Sequence, residues 1–249
     1  VDASIALKKE NYEDAKRFID EAYESESTMN SPKMWNYRSK IYLQIAFKKP
    51  SIDKRAIFKA TEAYVKCLNT NKKGKIIVKK WSSKEEVMTG AMQCANKLFN
   101  LAVDAYNDQR YQESLDFYEP IHQIIKLDSE DRLKVMKITS ESVYHNSYLS
   151  ANKMHKKQLA KNYLQKLIDF KSQKPSIYSS MSKLYLEEKK YEKAIEILDS
   201  GRVLFDSDQG LINEEINLYI KLERTDDLIN KISINIKNDS SNFLYYVIR

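Results

Sequence analysis

Between Pro175 and Phe205 the large side chains fall three and four residues apart, the spacing that lines one face of an α-helix. Tyr178, Met181 and Tyr185 form one face with the small Ser182 beside them, and Tyr191, Ala194, Leu198 and Gly201 form a second. The polar run Glu187 to Lys190 separates them. The pattern therefore predicts two amphipathic helices of about a dozen residues each, joined by a tight turn. Ser182, Ala194 and Gly201 predict close approach of the two helices, with Tyr178, Tyr185, Tyr191 and Leu198 filling the volume around them.

The pattern repeats. Ala160, Ala194 and Leu228 are 34 residues apart, as are Leu164, Leu198 and Ile232, and Tyr178 and Tyr185 reappear 34 residues later as Ile212 and Tyr219. Earlier segments carry the same spacing in stretched form. Tyr12, Ala15, Ile19 and Ala22 mark a second helix preceded by a stub of a first. Trp35, Arg38, Ser39 and Tyr42 mark a first helix whose partner holds Ala60, Tyr64 and Cys67, after an insertion around Pro50. Leu98, Leu101 and Ala102 begin another, completed by Tyr111, Ser114 and Tyr118. A first helix over 132–151 fits least well, because Tyr144 and Tyr148 have no small neighbour in the usual place.

This unit resembles the tetratricopeptide repeat (TPR) family, whose repeat is a helix-turn-helix of 34 residues. The resemblance implies an all-α fold, a right-handed superhelical solenoid of antiparallel helix pairs spanning 1–249. Approximate units are 1–30, 31–81, 82–130, 131–174, 175–208 and 209–241. Residues 242–249, with Tyr245 and Tyr246, are expected to open a further first helix. It also implies a concave groove lined by first helices, and a noncatalytic scaffold holding a protein or peptide segment in that groove.

Composition agrees with helices. Four Gly and four Pro in 249 residues are too few for the corners of a β-sandwich, a barrel or a large α/β enzyme. Seventeen Tyr and eight Phe supply a core although 31% of residues are charged. No run approaches the ~18 apolar residues of a membrane span. The chain opens on Val1 rather than Met; an exported or periplasmic protein that has lost a leader is one explanation, and a cytoplasmic protein is the other reading. Cys67 and Cys94 lack CxxC spacing and are expected to pack as small apolar groups.

Net charge is +7 but distributed in blocks: −4 over 1–30, +12 over 31–81, −5 over 82–130, +7 over 131–174 and −3 over 175–249. The sharpest local feature is Asn71 to Trp81, NKKGKIIVKKW. There Lys72, Lys73, Lys75, Lys79 and Lys80 surround Ile76, Ile77 and Val78. Three β-branched residues between lysines predict a loop or short extended ribbon in the connection between two helix pairs. The loop is a candidate docking segment for an acidic partner. The alternative to groove binding is electrostatic attachment of the 31–81 block to an anionic polymer, lipid surface or nucleic acid, with nucleic acid the weaker case.

Signs of chemistry are sparse. His122, His145 and His155 are scattered, and no metal-ligand spacing, phosphate loop or nucleophile elbow is present. Paired acids such as Glu85-Glu86 and Asp226-Asp227 fall at helix starts. No enzyme, cofactor or metal is expected. Tyr12, Tyr42, Tyr64, Tyr111, Tyr118, Tyr185, Tyr191 and Tyr219 are assigned to the core rather than to a stacking platform. Groove candidates, on first-helix faces turned away from the paired second helix, are Asn36, Lys40 and Leu43; Phe99, Val103 and Tyr106; Ser179 and Lys183; and Asn213 and Asn217. Family members that clamp a peptide carboxylate use Lys and Asn on successive first helices. Here Asn36 precedes Lys40, the reverse order, and Asn213 and Asn217 have no Arg beside them.

Overall fold

The computed structural model describes residues 2–238, with side chains to residue 233; the expected helix over 242–249 lies outside the described residues. The described part is all-α: α1 Asp2–Lys8, α2 Tyr12–Glu24, α3 Pro32–Lys48, α4 Ala56–Leu68, α5 Lys84–Asn107, α6 Tyr111–Leu127, α7 Ser140–Lys153, α8 Lys157–Asp169, α9 Pro175–Glu187, α10 Tyr191–Leu204, α11 Gln209–Lys221 and α12 Thr225–Asn238. A single 3-10 turn, Arg132–Met136, precedes α7. The chain forms two compact bodies, residues 1–156 and residues 157 onward, and the division falls inside the segment 131–174. In the first body α1 packs on α2, α3 on α4, α5 on α6 and α6 on α7; in the second, α8 packs on α9, α9 on α10 and α11 on α12.

The helix starts carry the period. α8, α10 and α12 begin 34 residues apart at Lys157, Tyr191 and Thr225, and α9 and α11 begin 34 apart at Pro175 and Gln209. The residues in that register are buried: Ala160 and Ala194 are fully enclosed, as is Leu164, and Leu198, Leu228 and Ile232 lie at 6% exposure or less. Gly201 has the predicted packing role, because a Cβ built on it would lie 2.8 Å from Tyr178 Cβ and 3.3 Å from Leu211 Cδ1. Ser182 Oγ donates to the Ala194 carbonyl at 2.9 Å and closes the same seam.

Among the described residues one turn directly precedes a second helix five times. Two residues before α2, α6, α8, α10 and α12 stand Glu10, Gln109, His155, Lys189 and Glu223, each with φ between 55° and 63°. After each, the next amide donates to the carbonyl five residues back: Asn11 to Ala6, Arg110 to Ala105, Lys156 to Ala151, Lys190 to Tyr185 and Arg224 to Tyr219. This is a left-handed helix stop that satisfies the final carbonyls of one helix and aims the chain into the next. Such a position usually takes glycine. Here it is filled five times without one, so scarce glycine coexists with many tight turns.

Several expectations are corrected. The helix expected over 132–151 starts only at Ser140. Thr139 caps it, accepting from the Ser142 amide at 3.1 Å while Ser142 Oγ accepts from the Thr139 amide at 3.0 Å. Ile138 N donates to Leu133 O, which seals the preceding turn as a separate element. α5 is longer than the Leu98 start implied, because Ser83 caps it 15 residues earlier. Tyr12, Tyr42, Tyr64, Tyr118 and Tyr219 are buried, but Tyr111 and Tyr185 are half-buried and Tyr191 is 41% exposed. Tyr191 is the first residue of α10, and side chains tilt toward the N-terminus, so its ring overhangs the turn. Tyr12 holds the same place on α2 but is covered by Lys48 of α3, whose Nζ lies 6.0 Å from the ring centre.

A charged cluster joins α2 to α3. Arg38, 4% exposed, donates to Asp20 Oδ1 at 2.7 Å, with its guanidinium between the rings of Tyr23 and Tyr42, 4.1 and 4.7 Å from their centres. Tyr42 donates its hydroxyl to the same carboxylate at 2.6 Å. Burial alone would raise the Asp20 pKa, but hydrogen bonds from Tyr42, Lys16 and Arg38 prevail and hold it below the usual carboxylate value.

Candidate functional site

α1, α3 and α5, the first helices of the first three pairs, lie side by side and enclose an open cleft of about 680 Å³. Leu7 of α1, Leu43 of α3, Tyr12 and Tyr64 form its apolar lining, and Tyr64 reaches it because Gly90 of α5 leaves room. A Cβ at Gly90 would fall 2.2 Å from the Tyr64 ring. Gln44, Thr89 and Gln93 add neutral hydrogen-bonding groups.

Two ion pairs frame this cleft. Lys40 Nζ donates to Glu86 Oε1 at 2.6 Å, and Lys48 Nζ to Glu10 Oε1 at 2.7 Å. The Lys40 bond, then one from Ser82 Oγ at 2.8 Å, holds the Glu86 carboxyl below its ordinary pKa. Lys48 does the same for Glu10. The cleft therefore carries two cations and two anions, already matched, around an apolar floor.

The second body has smaller clefts. One of about 400 Å³ is lined by Lys183, Leu186, Glu187, Leu198, Glu214 and Asn217 among others, and one of about 520 Å³ takes in Ser179, Lys183, Asp208 and Glu214. Lys183 pairs with Glu214 across α9 and α11. Lys40 and Glu86 make the corresponding bridge from α3 to α5. In both bodies, a lysine at the same place in the repeat reaches the next first helix.

The groove candidates thus separate. Lys40 and Leu43 line the large cleft; Ser179, Lys183 and Asn217 line the smaller ones. Asn213 is exposed and accepts from Gln209 Nε2 at 2.9 Å. Asn36 is 2% exposed with its Oδ1 unpartnered, because α3 is enclosed on several sides rather than along one stripe. Phe99 and Tyr106 do not turn away from the second helix. Phe99 packs edge-on against Tyr118 at 5.6 Å and Tyr106 against Tyr111 at 5.3 Å, both on α6, and Val103 is half-buried between them in sequence. The added N-terminal turns of α5 bring Glu86, Thr89 and Gln93 to the cleft instead. A signal for this was present: Ser83 with Glu86 three residues later is a helix-start pattern, and Ser83 Oγ accepts from the Glu86 amide at 3.0 Å.

The lysine segment is a tied turn. Asn71 N donates to Lys75 O at 2.8 Å, Asn71 Oδ1 accepts from the amides of Lys73 and Lys75, Gly74 takes φ 69°, and Thr70 and Ile76 form an antiparallel bridge. Ile76 and Val78 are buried in the core, while all five lysines are exposed. Cys67 and Cys94 are buried free thiols, each pushed up to about 12 by burial. Among the described residues no cluster of three or more His, Cys, Asp or Glu could hold a metal ion, and no helix is long and apolar enough to cross a membrane.

Each body is built of TPR-like antiparallel α-helix pairs. No protein-family model and no curated protein sequence matches the chain. Among solved structures it is similar to PilF of Pseudomonas aeruginosa, at 18% identity over 98% of this chain and 91% of that one, with a TM-score of 0.42. It is also similar to PilW, a type IV pilus biogenesis factor, at 12% identity over 99% and 94% with a TM-score of 0.42. The TPR domain of P58(IPK) gives 16% identity over 90% and 64% with a TM-score of 0.39. These are partial likenesses. The repeat is carried by the chain's own 34-residue helix spacing and recurring turns.

Proposed function

We propose that the chain is a noncatalytic protein-interaction scaffold whose helix pairs form one repeat array, and that the cleft between α1, α3 and α5 holds an extended segment of a partner protein. The observation that supports this is the cleft itself: about 680 Å³, formed by three successive first helices, with an apolar floor between two matched ion pairs. A preformed groove spends little on ordering itself when a peptide enters. Its formal charge is balanced, so this cleft selects through Leu7, Leu43 and the amides of Gln44 and Gln93 rather than through net charge. The Lys183 and Asn217 cleft of the second body is a subsidiary contact in the same reading.

Peptide display on the purified chain, followed by fluorescence-anisotropy titration of the selected sequences, tests this. Gln44→Arg with Gln93→Arg fills the cleft from its polar rim and is expected to weaken the selected peptides at least about tenfold, a loss of ~1.4 kcal/mol. Lys183→Ala with Asn217→Ala tests the second cleft in the same way. If selected peptides bind the Gln44/Gln93 variant as tightly as the parent, the large cleft is not the site.

A further inference from the structure

We propose that the edge of the first body formed by residues 69–83 and 128–139 docks on an anionic lipid bilayer, with the lysine turn facing the headgroups and Trp81 entering the interface. This goes beyond the groove reading and stands independently of it.

The turn is built to present its lysines. Ile76 and Val78 are anchored at 6% and 0% exposure, and the Asn71 bonds to the Lys73 and Lys75 amides fix the backbone just ahead of them, so little order remains to be imposed on binding. Lys40, Lys48 and Lys183 elsewhere are matched to carboxylates, but among the described residues no carboxylate pairs with any of the five lysines of the turn. Two of them crowd each other: Lys75 holds the Lys79 ammonium below its ordinary pKa, a repulsion that a phosphate between them would relieve.

Apolar groups protrude at the same edge. Trp81 closes the turn at 37% exposure. Arg132 NH1 lies 2.7 Å from Glu85 Oε2, which sets the 128–139 connection beside the start of α5. That connection is built alike: Leu133 and Ile138 are buried, and between them Val135 stands 88% exposed, flanked by Lys134 and Lys137. Lys134 is matched by Asp131 and Arg132 by Glu85 and Glu130, so this connection adds only Lys137 to the unmatched charge of the lysine turn.

A cluster of four to eight basic residues is drawn to an anionic membrane surface, and an adjacent Trp is suited to the headgroup region. A nucleic-acid strand or an acidic peptide would favour a basic groove, and none of the clefts described above takes a residue from the turn. Exposed turns that carry Trp81 and Val135 outside any described cleft match a flat interface instead.

The test uses phosphatidylcholine vesicles with and without phosphatidylglycerol. Trp35→Phe leaves Trp81 as the sole tryptophan. Its emission is expected to shift to the blue with the anionic vesicles only, and the shift to shrink as salt rises. Lys72→Gln with Lys73→Gln and Lys75→Gln is expected to lower vesicle partition about a hundredfold, while the triple Arg variant retains it. Circular dichroism checks that each variant keeps its helices, and Trp81→Ser supplies a second variant that leaves every lysine in place. Gln44→Arg with Gln93→Arg is expected to bind vesicles normally, which separates this site from the groove. The proposal is overturned if anionic vesicles are not bound, if neutral vesicles bind equally, or if the triple Gln variant partitions like the parent. A Trp81 response to an oligonucleotide or polyglutamate without one to vesicles overturns it too.

Discussion

Replacing Gln109 by glycine is expected to stabilise the first body by about 0.5–1 kcal/mol. Gln109 sits at φ 63° in the turn between α5 and α6, where its amide donates to Tyr106 O at 3.0 Å and the next amide to Ala105 O at 2.8 Å. An L-residue in this left-handed region costs ~1–2 kcal/mol. Glycine removes that cost but gives back ~0.5–1 kcal/mol, because its unfolded chain has more freedom to lose. Gln109 is exposed and makes no side-chain hydrogen bond, so nothing else is forfeited. Lys189, at φ 58° in the second body, is the matching site. The assay is the urea midpoint followed by circular dichroism, with Gln109→Ala as control, since alanine keeps the backbone penalty and is expected to leave the midpoint nearly unchanged. In a body of about this size the melting temperature of the glycine variant rises by ~1–4 °C. A Gly variant no more stable than the Ala variant would refute the idea that these turns carry strain.

Gly201→Val is expected to cost about 2–3 kcal/mol, because its side chain would enter the Tyr178 and Leu211 contact, whereas Gly210→Ala, with only Asp208 Oδ1 near at 3.2 Å, changes urea stability by less than ~1 kcal/mol. Val78→Ala is expected to cost about 1–2 kcal/mol by emptying a fully buried site under the lysine turn; an unchanged midpoint would show the turn is not anchored there. Glu188 accepts from Lys161 at 2.5 Å and Lys190 at 2.8 Å, and these bonds hold its carboxyl at about 2. Because the folded pKa is lowered, its contribution is present above the ordinary value of 4.5 and is lost as pH falls from there through about 2. A carbon-detected NMR titration reads this, and Lys161→Met is expected to bring the value back toward 4.5.

Legibility in the sequence followed the packing. From Tyr178 to Leu198 one face of each helix is large and its neighbour small, so spacing alone located α9, α10 and the Glu187 to Lys190 turn. α3 resisted the same treatment. It is enclosed by neighbouring helices on several sides, so Asn36, which lies off the stripe of Trp35, Arg38, Ser39 and Tyr42, is buried where a single-stripe helix would expose it. The cleft was half legible. Lys40 and Leu43 follow from the repeat register, but Glu86, Thr89 and Gln93 depend on where α5 begins, and the lysine turn before Ser83 has no period from which to read it. The burial of Ile76 and Val78 depends on contacts with distant helices, which local composition does not encode.

The most direct test of the groove is to map a display-selected peptide onto the intact chain by backbone amide chemical-shift perturbation. The prediction is a continuous footprint over Leu7, Gln44, Thr89 and Gln93, with the exposed positions Arg17 of α2 and Glu62 of α4 silent. A footprint centred on those second-helix positions, with the cleft residues unmoved, would contradict it.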